Sequence, residues 1–273
     1  MMGIEETKQL LRTFRITPNK LLGQNFMIDP TLYPKLTEYA SLIKSDVVLD
    51  IGAGFGFLSR FLADKCEGVV AVEKDSNVAA VLRAQIRDCS NVTALEGDIF
   101  KIDLPSFSKV IAIPPYYLSS RLIVWFLEHK IMCAVLVLQK EFANKLVASV
   151  GGEDYGWLTV ITSHDAQVEL LDTVCKSAFF PVPEVDSVII RLMRWETAPF
   201  KVKDEQFFNS LVRSLFTQRN KKICNSLVSF LRSGGTVSKE KAQKLASKAP
   251  FGERRARELS PKDFGELADA LGK

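Results

Sequence analysis

Val47-Val-Leu-Asp-Ile-Gly-Ala-Gly-Phe-Gly56 is the stretch that decides how this chain folds. Its first five residues form a nearly unbroken apolar run, the mark of a strand buried on both faces of a parallel sheet. Glycines at 52, 54 and 56 follow at once, and residues 57–65 then take a helical period. A strand, a glycine turn and a helix in succession form a nucleotide-binding opening, because glycine lets the backbone approach a ligand closely. The spacing is G-x-G-x-G, with Phe57 where a dinucleotide fingerprint has its last glycine. Glu73 comes 21 residues after Gly52, at the end of the next expected strand. A carboxylate there can accept hydrogen bonds from both ribose hydroxyls of a nucleoside.

Outward from this stretch, strands are expected at residues 47–51, 69–73, 93–96, 110–113, 132–139, 168–174 and 185–195, with helices at 57–65, 78–87, 120–129 and 141–148. The alternation predicts an α/β fold: a doubly wound, Rossmann-like domain with a mainly parallel sheet. The last two strands lack a helix between them and read as a hairpin at the sheet edge. Asp29 and Pro30 are expected to cap and open an N-terminal helix. After Trp195 a polar linker, 196–203, leads into helical patterns near 203–216, 223–231 and 238–247 and from Ser260-Pro261 onward. Two domains result, 1–195 and a small all-helical 196–273.

The chain has 273 residues, 47% hydrophobic and 25% charged, an ordinary globular balance. No run of about eighteen apolar residues is present, so no membrane span is expected, and the first residues do not read as a signal peptide. Five scattered cysteines without C-x-x-C spacing, and only His129 and His164, argue against a metal site and for reduced thiols in a cytoplasmic protein. Residues 191–273 hold 18 Lys+Arg against 9 Asp+Glu, while residues 1–190 hold 18 against 23. A basic appendage on an acidic body suits a nucleic-acid partner; a solvated lysine-rich surface fits the same counts.

Two further motifs end neighbouring strands. Glu96-Gly97-Asp98 closes the third, and Ile111-Ala-Ile-Pro-Pro-Tyr-Tyr117 closes the fourth. In an open α/β sheet such ends share one crevice, so Asp98 is expected to reach the same ligand as Glu73, at an adenine amine.

With these motifs the chain resembles the ribosomal RNA adenine dimethyltransferase family of the KsgA type. Asn19-Lys-Leu-Leu-Gly-Gln-Asn-Phe-Met27 is similar to its L-G-Q-N-F-L opening, and Phe179-Phe-Pro-Val-Pro-Glu-Val-Asp-Ser187 to its F-x-P-x-P-x-V-D-S segment. Phe216-Thr-Gln-Arg-Asn-Lys-Lys222 and Arg257-Glu-Leu-Ser-Pro-Lys-Asp-Phe264 resemble its helical domain. The resemblance implies an S-adenosylmethionine site at Asn25, Met27, Gly52, Gly54, Glu73, Asp98 and Ile113. It implies methylation of adenines near the 3′ end of small-subunit ribosomal RNA, in a pre-ribosomal particle, by a monomer. Ile113, Pro114, Tyr116 and Phe179 would form the acceptor site, the two rings sandwiching a flipped adenine. Lys20, Arg219, Lys221 and Lys222 would contact phosphates.

One position departs from the pattern. The family carries N-[LI]-P-Y, and aligning Pro115-Tyr116 puts Ile113 at the asparagine. The exocyclic amine of adenine is a poor nucleophile, and two acceptors, the asparagine amide and the next carbonyl, would orient it. Ile113 supplies no acceptor; the Pro114 carbonyl remains. Three readings stay open: a methyltransferase slowed by Ile113, an RNA-binding assembly factor with little catalysis, and a methyltransferase with another nucleic-acid substrate.

Overall fold

A computed structural model describes residues 3–19, 22–233 and 238–272. In chain order its elements are α1 (Ile4–Thr13), β1 (Phe26–Met27), α2 (Leu32–Tyr39), β2 (Val47–Ile51), α3 (Phe57–Ala63), β3 (Gly68–Glu73), α4 (Ser76–Gln85), β4 (Val92–Glu96), β5 (Lys109–Ala112), α5 (Ser119–Glu128) and β6 (Cys133–Gln139). There follow α6 (Lys140–Leu146), α7 (Trp157–Asp165), β7 (Ala166–Val174), β8 (Phe179–Phe180), β9 (Ser187–Arg194), α8 (Glu205–Phe216), α9 (Ile223–Ser233), α10 (Lys239–Lys248) and α11 (Pro261–Leu271).

The main sheet has seven strands in the order β4-β3-β2-β5-β6-β9-β7. The five from β4 to β6 run parallel, and β9 lies antiparallel to β6. The chain works outward from β2 through β3 to β4, then crosses back to β5 and β6. A topological switch point therefore falls between β2 and β5, where open α/β sheets bind ligands. The central parallel strands are largely apolar because helices cover both faces: Val48, Leu49, Val110, Ile111 and Val135 are fully buried. The hairpin expected at one edge is present as β7 beside β9.

Contacts divide the chain into two compact units, Met1–Ala143 with Val168–Arg194, and Asn144–Gln167 with Trp195–Lys273. The single boundary expected at 195 thus misses a segment, 144–167, that belongs with the C-terminal helices. The reason lies in α7: its Leu158, Val160 and Ile161 are buried, and Tyr155 just before it donates its hydroxyl to the Leu259 carbonyl at 2.7 Å. The stretch 196–203 is also no free linker, since the Phe200 ring lies 4.8 Å from His164 and 6.1 Å from Phe208. Ser260 caps α11 as expected: its hydroxyl accepts from the Asp263 amide at 3.2 Å, and Asp263 accepts from the Ser260 amide at 2.9 Å.

At the N-terminus, α2 begins at Leu32, and Asp29 is not its cap. The Asp29 carboxylate instead accepts from the Thr31 amide and hydroxyl at 3.0 and 2.6 Å, closing a turn before the helix. Among the described residues no helix is long and apolar enough to cross a membrane.

Candidate active site

Strand register assembles the site. Val72 pairs with Ile51 and Glu73 with Glu96, while Leu49 pairs with Val110 in parallel alignment. Counting on from these pairs places Gly52, Glu73, Asp98 and Ile113 together past the carboxyl ends of β2, β3, β4 and β5. They line one cleft in the first unit, with Asn25, Met27, Gly54, Pro114, Tyr116 and Phe179.

One end of the cleft is built on Glu73. The Gly54 and Asp75 amides donate to its two carboxylate oxygens at 3.0 and 2.9 Å. Burial pushes its pKa up, and these amides only partly offset that. Gly52 and Gly54 hold φ of +72° and +58°, which side-chain-bearing residues rarely adopt. A Cβ on Gly54 would stand 3.3 Å from the Phe26 ring, so the turn leaves its backbone bare for a ligand. Asp98 receives the Phe100 amide at 3.2 Å and Lys74 Nζ at 3.3 Å. Burial would raise its pKa, but these donors and the nearby Arg121 charge hold it below the usual carboxylate range. A glycine cradle and two carboxylates fit a nucleoside with ribose hydroxyls and an amine.

Three residues that sequence reasoning did not single out also shape the cleft. Asp50 is fully buried and accepts from the Ser59 hydroxyl at 2.7 Å. Burial pushes its pKa up to about 7, with the Glu73 charge adding to the shift and Ser59 opposing it. A lone charge inside the apolar run 47–51 was the available signal. Gln24 donates to Asp75 at 3.0 Å and accepts from the Asn19 amide at 2.8 Å, tying the 22–25 loop to the corner beside Glu73. Ser187, with no exposed surface, shares a 2.6 Å hydrogen bond with the Tyr116 hydroxyl.

At the other end the expected sandwich takes another form. The Tyr116 and Phe179 rings meet edge-on, with centroids 6.3 Å apart and planes at 73°. One base cannot lie parallel to both. Each ring is fixed by something else: Tyr116 by Ser187, and Phe179 by its pairing with Met27 across β8 and β1. Tyr116 is the ring with partial exposure, while Phe179 is buried beside it. Ile113 is half-buried, packs against the apolar core of the sheet and lines the cleft.

In the second unit the basic residues do not stand alike. Arg219 donates to the Glu153 and Gly152 carbonyls at 3.0 and 3.3 Å, so it braces a loop. Lys222 pairs with Glu253 at 2.6 Å. Lys221 is exposed, and Lys20 lies outside the described residues. Among the described residues no three His, Cys, Asp or Glu side chains are grouped to hold a metal ion.

Against known proteins, the pattern of the family described as ribosomal RNA adenine dimethylase matches residues 16–260. The chain belongs to that family. A probable ribosomal RNA small subunit methyltransferase A of Methanosarcina mazei is 36% identical over 250 residues, covering 91% of each chain. The ribosomal RNA small subunit methyltransferase A of a Geobacillus species is 33% identical, covering 97% of this chain and 95% of its own. A dimethyladenosine transferase from Plasmodium falciparum has a similar crystal structure, with a TM-score of 0.76 and 27% identity over 89% of this chain and 95% of that one. The 23S rRNA methyltransferase ErmE follows at 0.65 and 28%, over 91% and 100%. Ribosomal RNA adenine dimethylases are S-adenosylmethionine-dependent methyltransferases, and the mixed α/β architecture is that of Rossmann-like methyltransferases.

Proposed function

We propose that this protein transfers methyl groups from S-adenosylmethionine to N6 of adenines near the 3′ end of small-subunit ribosomal RNA, acting as a monomer on a cytoplasmic pre-ribosomal particle. The observation that carries the reading is the single cleft that joins Gly52, Glu73 and Asp98 to the Ile113–Tyr116 loop. Bound there, S-adenosylmethionine supplies an electrophilic methyl group on a sulfonium. Asn25, Met27, Gly52, Gly54, Glu73 and Asp98 would hold it: Glu73 accepts from the ribose hydroxyls and Asp98 from the adenine amine. Tyr116 offers a flipped adenine a stacking face, and Phe179 buttresses that ring. The Pro114 carbonyl receives an N–H of the target amine and turns its lone pair toward the methyl, a positioning effect. The small-subunit assignment is supported by the names of the relatives that match over almost their whole length.

A second reading rests on Ile113. Loss of one amine-orienting hydrogen bond, at roughly 1.5–3 kcal/mol, slows transfer about 10- to 150-fold. A protein so slowed can serve as an RNA-binding assembly factor. One experiment separates the two: incubate the protein with methyl-labelled donor and immature small subunits, then locate the label. Label on adenines of the small-subunit RNA supports the first reading. Stable binding of subunits without label favours the second.

A further inference from the structure

Ile113 and Pro114 follow one another just past β5 and both line the cleft. The Ile113 side chain offers only hydrocarbon, and its packing against the core fixes it there. The Pro114 carbonyl accepts no hydrogen bond among the described residues and is free to receive one. The Tyr116 hydroxyl, in the same loop, is engaged with buried Ser187 at 2.6 Å. This wall therefore presents one acceptor and one apolar surface.

That pair of surfaces suits one amine better than another. The amine of adenine has two N–H donors; here one meets the Pro114 carbonyl and the other meets Ile113. Leaving a buried donor unpaired disfavours a complex by about 5- to 150-fold. The amine of N6-methyladenine has one N–H and one methyl. Its N–H fits the carbonyl, and its methyl fits the isoleucine, with burial of a methyl favouring the complex by about fourfold.

We propose that Ile113 makes N6-methyladenine, rather than adenine, the preferred acceptor of this protein. The inference rests on the reading above that the target amine lies at the wall formed by Ile113 and Pro114. In the step, the nitrogen lone pair forms a bond to the methyl carbon of S-adenosylmethionine as the sulfur–carbon bond breaks, leaving a neutral thioether. The last proton on the nitrogen passes to water at the cleft mouth, and the product is N6,N6-dimethyladenine. An N6-monomethylation of the same adenine by a separate enzyme must supply the substrate.

The test uses the full chain, labelled S-adenosylmethionine, and small subunits reassembled with RNA bearing adenine or N6-methyladenine at the 3′-terminal loop. Transfer to N6-methyladenine is expected to be at least about tenfold faster. With the donor end filled by S-adenosylhomocysteine, N6-methyladenosine should also compete with the RNA better than adenosine. Ile113→Asn should shift both preferences toward adenine. Ile113→Thr, which keeps the β-branch and adds an acceptor, should do the same if the asparagine variant does not fold. Equal or faster use of adenine, or preferences unmoved in a folded variant, overturns the proposal alone. Transfer to neither substrate overturns the acceptor-site reading beneath it as well.

Discussion

Pro115 stands so close to Gly52 that a Cβ on residue 52 would lie 2.7 Å from the proline Cδ. The turn at Gly52 and the loop at Pro115 are thus registered against each other by a contact that glycine alone permits. Gly52→Ala must also hold φ near +72°, a strain of about 1–2 kcal/mol for a side-chain-bearing residue. We expect a lower melting temperature and weaker donor binding together, measured by thermal denaturation and calorimetry. Intact donor affinity in this variant would show that the two loops move independently.

Glu73 is expected to bind the donor as well as to hold the turn together. Glu73→Ala should weaken donor binding by about 1–3 kcal/mol, and it also frees the Gly54 and Asp75 amides. Glu73→Gln keeps one carbonyl oxygen and should lie between the two in a calorimetric titration. Because burial raises the Glu73 pKa, donor affinity should decline on acidification at a higher pH than for an ordinary glutamate.

Asp50 makes stability depend on pH in an unusual direction. Its folded pKa, pushed up to about 7, exceeds the unfolded value of 3.8. Its contribution is therefore complete below the unfolded value and is lost as pH rises toward 7, by at most about 4 kcal/mol. Asp50→Asn has no such loss and can still accept from Ser59. Denaturation across this range should show the variant gaining on the natural protein as pH rises. Parallel curves would mean that Asp50 titrates normally.

Tyr116→Phe removes the partner of buried Ser187 and should cost about 1–3 kcal/mol of stability. The stacking face survives, so donor affinity should be unchanged while the methyl-transfer rate falls through looser positioning of the ring. Ser187→Ala should lower the rate in the same way. A rate unaffected in both variants would confine the pair to a packing role.

For RNA binding, the bracing role of Arg219 separates it from Lys221. Arg219→Ala should lower stability, whereas Lys221→Ala, alone or with the α10 lysines 241, 244 and 248, should flatten the dependence of log affinity on log salt. An unchanged slope after removal of all four lysines would place the RNA elsewhere.

The main sheet was legible because parallel strands buried on both faces read as apolar runs, and the turn chemistry at Gly52 and Ser260 marks its own position. What escaped had no such period. The sequence of α7, Trp-Leu-Thr-Val-Ile-Thr-Ser-His-Asp, is rich in β-branched residues and runs into β7 without a turn. The β1 and β8 strands have two residues each, too short for any pattern. At the cleft, residue types at strand ends pointed to Glu73 and Asp98, because β register follows from alignment of the runs; Ile113 came only from the resemblance to the family's motif. The angle between Tyr116 and Phe179 and the bond to Ser187 depend on contacts distant in the chain, and no local rule reports those. Arg219 shows the same limit: its charge is visible in the sequence, but its carbonyl partners are not.

The excursion of Asn144–Gln167 sets terms for anyone who would take this protein apart. The backbone passes between the two units three times, after residues 143, 167 and 194. A truncation at 195 would leave α7 attached but strip it of α8 and α11, the helices it packs against. Such a fragment would be sticky, and its failure to methylate would say nothing about the catalytic cleft. A helical fragment beginning at 196 would lack Tyr155, the partner of the Leu259 carbonyl. Swapping the second unit for that of a relative therefore means exchanging two segments at once, so the two units of this chain are inherited as one piece.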